Sequence, residues 1–424
     1  MYQDGDTIFA VASGIGRAAV TLLRISGAGA GAVLDGLCRR PAPRIAAVRA
    51  LRHGEVLDRA LVLWLPGPGS YTGEDSAELH LHGGRAVLSA VSDALVRLGA
   101  RPAEAGEFTR RAFLNGRMDL VEAEAVADLI DAETTAQRAQ ALRQMEGGLG
   151  DILRGWAERL TRLLAQQEAL IDFPDEDLPP EVEDQMLAEI AGMLAEICGM
   201  LDDGRRGEKL RDGLVFAVVG PPNAGKSTLV NALAARDVAI VSDQPGTTRD
   251  VLEVRLDLGG VLVTLLDTAG LREAGDAIEA EGIRRARARM ADADLVVQVA
   301  DDGVFDAIDA AKILRVHTKA DLQHLDGLAV SAATGVGMDA LRDALAAAAQ
   351  RMTQAAGPPP LTRARHRAAL SEAAARLDAA LTVALPELRG EDLRMALRAI
   401  GRITGIVGVE DILDQVFRQF CIGK

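Results

Sequence analysis

Residues 214–227 read LVFAVVGPPNAGKS, an all-apolar run followed by a glycine-bounded loop that ends in Lys226-Ser227. The run predicts a buried strand over Leu214 to Val219, and residues 227–235 that follow predict a helix. Gly220 through Ser227 carries the G-x-x-x-x-G-K-S spacing between them. In that setting backbone N–H groups close around phosphates, Lys226 neutralises their outer oxygens, and the Ser227 hydroxyl is placed to reach magnesium. Working outward, apolar strands alternate with amphipathic helices from Leu214 to about Met352, the pattern of a parallel sheet with crossover helices.

Three further segments follow in a fixed order. Gly246-Thr247-Thr248-Arg249-Asp250 is a polar stretch of the kind that orders around a γ-phosphate, with Thr248 completing the magnesium shell. Asp267-Thr268-Ala269-Gly270 closes the apolar run 261–266, so that a carboxylate sits at a strand end and Gly270 approaches the phosphate by its backbone. Thr318-Lys319-Ala320-Asp321 follows the predicted strand Ile313–His317, and Asp321 would accept hydrogen bonds from guanine N1 and the exocyclic amine, which adenine lacks. Ser331-Ala332, after a short predicted strand over 328–330, fits the loop behind the base. Together these segments specify a GTPase.

Two features depart from the usual form of such a site. Thr318 stands where the guanine motif has asparagine, which removes one amide contact and predicts weaker affinity with guanine preference retained. Leu271, after Gly270, offers no amide to orient water, so another group must do so. The interval between Val299 and Ile313 also reads as short for a full crossover helix.

Outside the nucleotide segment, residues 1–118 mix short apolar runs (19–25, 60–65) with glycine and proline and one helix-like stretch, Arg85 to Leu98, and read as an α/β domain. From Leu120 to Leu170 apolar residues recur at helical spacing, broken mainly at Gly147, Gly148 and Gly150. The acidic stretch 172–180 predicts a loop before another helix over 181–201. Helical periodicity returns after Pro358–Pro360, broken near Pro386 and Gly401, Gly405 and Gly408. The expected division is 1–118, 119–212, 213–353 and 354–424, with the two helical segments forming one bundle into which the nucleotide domain is inserted.

The 424 residues are 49% hydrophobic, 26% charged and only 3% aromatic, which predicts a folded, multidomain, helix-rich chain with aliphatic cores. A formal charge of −15 argues against coating nucleic acid by bulk electrostatics. Cys38, Cys198 and Cys421 are too scattered for a disulfide framework or zinc site, no apolar run is long enough to span a bilayer, and no export signal opens the chain, so a cytoplasmic setting is expected. His80 and His82 share a strand face without a third ligand nearby, and Arg284, Arg285, Arg287 and Arg289 read as a solvated helix face.

The flanks carry a resemblance. Asp6-Thr7-Ile8, residues 23–27 (LRISG), residues 71–75 (YTGED), His82-Gly83-Gly84, residues 104–115 (EAGEFTRRAFLN) and the terminal Cys421-Ile422-Gly423-Lys424 are similar to the family of tRNA wobble-uridine modification GTPases called MnmE or TrmE, over essentially the whole chain. The fold so implied is an N-terminal folate-binding-like α/β domain, a helical bundle domain and an inserted Ras-like P-loop GTPase domain. The function implied is GTP hydrolysis coupled, with the flavoprotein MnmG, to adding an aminomethyl or carboxymethylaminomethyl group at C5 of uridine 34 of certain tRNAs. The chain would be a homodimer, in a heterotetramer with MnmG, and a formyl- or methylene-tetrahydrofolate would be the one-carbon donor.

Site residues carry over from the same resemblance. Folate would meet Arg24, Glu78, Arg117 and Lys424, with Arg117 standing where lysine is also found. GTP would be held by Asn223, Ala224, Gly225, Lys226, Ser227 and Thr228, by Ser242, Asp243, Gln244, Pro245, Gly246, Thr247 and Thr248, by Asp267, Thr268, Ala269 and Gly270, and by Thr318, Lys319, Asp321, Ser331 and Ala332. Ser227 and Thr248 would ligate Mg²⁺, while Asn223, Ser242, Gln244 and Thr247 would hold K⁺ in place of an arginine finger and drive dimerisation of the nucleotide domains. Glu279 would position the attacking water, with Lys226 and Thr248 as the other catalytic groups, and Cys421 is a candidate substrate-facing thiol. The alternatives are a ribosome-assembly GTPase switch, which would need an RNA-binding appendage, an ATPase of the same loop class, and a GTP-controlled folate-binding scaffold whose partner does all the chemistry.

Overall fold

The computed structural model describes residues 5–14, 16–172, 180–236, 253–267, 293–305, 307, 312–323, 326–354, 359–406, 413, 416, 417, 420 and 423. They fall into two compact units, 1–127 with 401–424, and 128–400.

The first unit is built on a six-stranded sheet in the order β3-β4-β5-β2-β1-β6, from β1 (Ile8–Val11), β2 (Ala18–Ser26), β3 (Ala47–His53), β4 (Glu55–Leu65), β5 (Ser76–Gly83) and β6 (Arg101–Pro102). All neighbours are antiparallel except β1 and β6. Alternation along β2, β4 and β5 sends Leu23, Ile25, Val62, Trp64, Leu79 and Leu81 into one core, where Val33, Leu34 and Leu37 of α1 (Ala30–Leu37) and Val91 and Leu95 of α2 (Arg85–Arg97) meet them.

The expected helix over Arg85–Leu98 is therefore present, but this unit also has α1 and α3 (Glu107–Leu114), where only one helix was legible. Eight residues with Gly31 and Gly36 among them make α1 a weak helix by propensity, and burial of its apolar face against the sheet carries it. Helix α3 opens at Gly106, whose φ is 69° and where a Cβ would lie 2.5 Å from the Phe417 carbonyl oxygen, a position only glycine fits. Phe417 and Phe420 pack with Leu120, Ala123 and Val126 of α4 (Leu120–Asp131), so the end of the chain belongs to this unit's core.

In the second unit α5 (Thr135–Met145), α6 (Gly148–Asp172), α7 (Pro180–Leu201), α8 (Arg206–Asp212), α11 (Ala364–Thr382) and α12 (Pro386–Thr404) supply the helical part. The apolar stripes are Leu149, Leu153, Trp156, Leu160 and Leu163 on α6, and Met186, Ile190, Met193, Ile197 and Met200 on α7. Their spacing of three and four residues puts each set on one face. The break between α4 and α5 was not expected. Thr134 makes it, accepting from the Gln137 N–H while the Gln137 side chain accepts from the Thr134 N–H, a reciprocal capping box.

The nucleotide segment forms a five-stranded sheet in the order β11-β10-β7-β9-β8, from β7 (Leu214–Val219), β8 (Glu253–Leu258), β9 (Val261–Asp267), β10 (Leu295–Ala300) and β11 (Ile313–His317). Every pairing is parallel except β8 with β9. Helices α9 (Lys226–Arg236) and α10 (Met338–Thr353) flank it, and the core draws on Phe216, Val218, Leu229, Val230, Leu265, Val297 and Leu341. The short strand expected over 328–330 is instead a single bridge, His317 to Ala329. Its hydrogen bonds, His317 N–H to Leu328 O and Val330 N–H to His317 O, end there because Ser331 N–H turns to Val336 O.

Candidate functional site

The carboxyl ends of β7, β9 and β10 and the amino end of α9 converge, as an open parallel sheet places its ligand crevice. Gly220 leaves β7 so close to β10 that a Cβ there would lie 2.2 Å from the Val299 carbonyl oxygen. Asn223 turns the loop with φ 64°, a left-handed conformation that asparagine tolerates. Ala224 N–H reaches Pro221 O, Leu229 N–H reaches Gly225 O, and α9 starts at Lys226, so its unpaired N–H groups and positive dipole end face the crevice.

Lys226 is 8% exposed, and its ammonium donates to Gly220 O at 2.9 Å and Pro221 O at 2.8 Å. Those carbonyls aim the charge along the loop, where phosphate oxygens would replace them. Ser227 is half-buried one residue into the helix. Asp267 is 1% exposed at the end of β9, in register with Val218 of β7. A buried carboxylate, a hydroxyl at a helix N-terminus and an ammonium together form a donor set that fits a magnesium-bound triphosphate.

The base-side loops join the same frame. Thr318 N–H donates to Ala300 O at 2.8 Å, Ala320 N–H to Val330 O at 3.1 Å, and Leu322 N–H to Lys319 O at 2.9 Å. Lys319 has φ 57°, and its ammonium reaches Asp301 Oδ2 at 2.5 Å, which holds the Asp301 carboxyl below its usual range. Asp321 is exposed, Ala332 half-buried and Ser331 buried, with Ser331 Oγ accepting from Thr334 N–H. Asp301 was missed by sequence reasoning, and its only signal was an acid directly after the apolar run that ends at Ala300. The Thr318 side chain turns inward, donating to the P-loop carbonyl Ala224 O at 2.7 Å.

In the first unit Arg24 and Glu78 are cross-strand partners on β2 and β5, and Arg24 Nη2 meets Glu78 Oε1 at 2.8 Å. The Arg24 guanidinium lies 5.3 Å from the Tyr71 ring centre and 5.9 Å from that of Phe108. Arg117 is exposed, with its stem against Gly73. Gly423 sits so near β1 that a Cβ would lie 2.1 Å from Val11 O, one residue beyond Ala10, the strand partner of Arg24. His82 Nδ1 pairs with Asp58 Oδ1 at 2.8 Å. Burial alone would raise the Asp58 carboxyl, but hydrogen bonds from the His82 N–H and ring hold it below its usual range. Among the described residues no cluster is suited to a metal ion, and no helix is long and apolar enough to cross a membrane.

A partly buried polar network beside Arg24 left no trace in apolar periodicity, although Asp6, Ser26, Thr72, Glu74, Glu107 and Arg111 all lie in the segments that carry the resemblance. Arg111 bridges Glu107 and Glu74, Arg101 bridges Glu107 and Asp6, and Glu74 accepts from Ser26, which meets Thr72. Ser242, Asp243, Gln244, Pro245, Gly246, Thr247, Thr248, Thr268, Ala269, Gly270, Glu279, Cys421 and Lys424, and Arg284, Arg285, Arg287 and Arg289, to which the sequence assigns roles, lie outside the described residues.

Two family models match the chain, "GTP-binding protein TrmE N-terminus" over residues 7–117 and "MnmE helical domain" over 120–421. The protein called tRNA modification GTPase MnmE of Gluconacetobacter diazotrophicus is 59% identical over 428 residues, covering 98% of each chain. Those of Granulibacter bethesdensis and Rhodospirillum rubrum are each 55% identical, with 99% of both chains covered. Matches of this length and identity, on a chain whose P-loop, buried strand-end aspartate and guanine-type loop meet at one end of a parallel sheet, leave one assignment: it belongs to the MnmE (TrmE) family of tRNA modification GTPases.

Proposed function

We propose that this chain hydrolyses GTP in the cytoplasm and, as a homodimer joined to an MnmG-like flavoprotein, helps install an aminomethyl-type group at C5 of the wobble uridine of certain tRNAs. The observation that carries it is the joining of Lys226, Asp267 and the Thr318–Asp321 loop in one frame, on a chain of this family. In this reading residues 213–353 are the nucleotide domain, 1–118 the folate-binding and dimerising domain, and 119–212 with 354–424 the helical domain.

Lys226 and the backbone N–H groups of the loop hold the β- and γ-phosphates, and Asp321 reads the guanine. Ser227 and Thr248 would hold Mg²⁺, and Asn223, Ser242, Gln244 and Thr247 would hold K⁺, cations that would supply positive charge beside the transferred phosphoryl group. Glu279 orients the attacking water. Arg24, Glu78, Arg117 and Lys424 would meet the tetrahydrofolate carrier, with the Arg24 guanidinium 5.3 Å from the Tyr71 ring centre. Cys421 is the proposed substrate-facing thiol.

GTP turnover with Mg²⁺ in KCl against NaCl, at equal ionic strength, tests this reading. Potassium is expected to stimulate turnover by at least about tenfold, a barrier change of ~1.4 kcal/mol, with the stimulation lost in Asn223→Ala and turnover lost in Glu279→Ala. Equal rates in both salts would remove the cation role and leave a simple GTPase switch.

A further inference from the structure

Thr318 is 4% exposed, and its hydroxyl lies between two backbone carbonyls, Ala224 O at 2.7 Å and Ala300 O at 3.3 Å. A threonine hydroxyl has one proton. With acceptors of the P-loop and of β10 on either side, that proton stays within the protein. Guanine N7 is an acceptor only, and an asparagine at this position would have two amide protons, one for a carbonyl and one to spare. Threonine has none to spare.

Resting on the reading of this crevice as a guanine nucleotide site, we propose that the Thr318 side chain leaves N7 unread. Thr318 is a positioning residue, pinning the base loop to the P-loop through Ala224, while base selection falls to Asp321. Two hydrogen bonds just ahead of Asp321 tether the loop that carries it, Thr318 Oγ to Ala224 O and Ala320 N–H to Val330 O. Base recognition and phosphate recognition are thereby fixed to one another before nucleotide arrives.

Competition of GDP and 7-deaza-GDP, which has C–H in place of N7, against a fluorescent guanosine diphosphate on the full chain tests this. The wild type is expected to bind the two within about twofold. Thr318→Asn should separate them by roughly 3- to 10-fold in favour of GDP, the worth of one neutral hydrogen bond. Thr318→Val, which leaves the buried Ala224 carbonyl unpaired, should weaken both equally, by roughly fivefold or more. A wild-type penalty above about fivefold for 7-deaza-GDP overturns the proposal. Unchanged affinities in Thr318→Val overturn the positioning role. Failure of GDP itself to compete would overturn the nucleotide reading as well, and so is distinguishable from either result.

Discussion

Asp321→Asn is expected to lower GDP affinity by about 10²- to 10³-fold and to turn the site toward xanthosine diphosphate. A carboxylate accepting two charge-assisted hydrogen bonds from guanine N1 and its exocyclic amine is worth ~3–4 kcal/mol when both are lost and an amide donor faces donors instead. Xanthine, with a carbonyl where guanine has its amine, meets the asparagine amide in the correct sense. The expectation is sharpened by Thr318. Because that side chain is engaged with Ala224, no second side-chain contact to the base compensates at this position. Titration calorimetry of the variant with both diphosphates checks it. Retention of GDP affinity within about tenfold would show that the loop does not read the base through Asp321.

The largest expected stability effect lies in the first unit. Arg111 is 1% exposed, and it donates to Asp6 O at 2.7 Å, Glu107 Oε1 at 2.9 Å and both Glu74 oxygens at 3.2 Å. Arg111→Ala strands the buried carboxylate of Glu107 with fewer partners and should cost ~3–5 kcal/mol, against less for Arg111→Met, which keeps the packed stem. Denaturation followed through Trp64 in a Trp156→Phe background isolates this unit, since Trp64 sits in its core and Trp156 in the other unit. A loss below about 1 kcal/mol would contradict the role given to the network.

The same network sets a pH dependence. Burial would raise the Glu107 carboxyl, but hydrogen bonds from Arg101, the Glu104 N–H and Arg111 outweigh it and hold it below its usual range. Because the folded value lies below the unfolded one, this stabilisation is complete above the ordinary carboxylate range near pH ~4.3 and is lost as pH falls through the folded value. The gap between wild type and Arg111→Ala should therefore narrow on acidification.

What could be read ahead of the structure follows from how local each feature is. The limits of β7 and β11 and the start of α9 within a residue came from short apolar runs meeting glycine or polar punctuation, a signal carried by adjacent residues. The P-loop, Asp267 and Asp321 were legible for the same reason, since fixed spacing and a preceding strand define them. Helix α3 was not, because its buried face holds Glu107, Thr109 and Arg111 beside Phe108 and Ala112, and apolar periodicity cannot register Arg111, whose buried charge meets Glu74 and Asp6 at 37 and 105 residues' remove. Thr318 was legible as a departure, but its hydroxyl partner lies 94 residues away in the P-loop and only the fold brings the two together. Potassium, folate and the water-positioning role of Glu279 came from resemblance alone.

Coupling of nucleotide turnover to tRNA chemistry is tested most directly by nucleoside mass spectrometry of bulk tRNA from cells lacking this chain, complemented with wild type or Lys226→Ala. The wild type is expected to restore the C5-substituted wobble uridine, and Lys226→Ala, deprived of the ammonium that holds the phosphates, to leave it absent. Full modification in the Lys226→Ala cells, or in cells without the chain, would contradict a GTP-driven role in modifying tRNA.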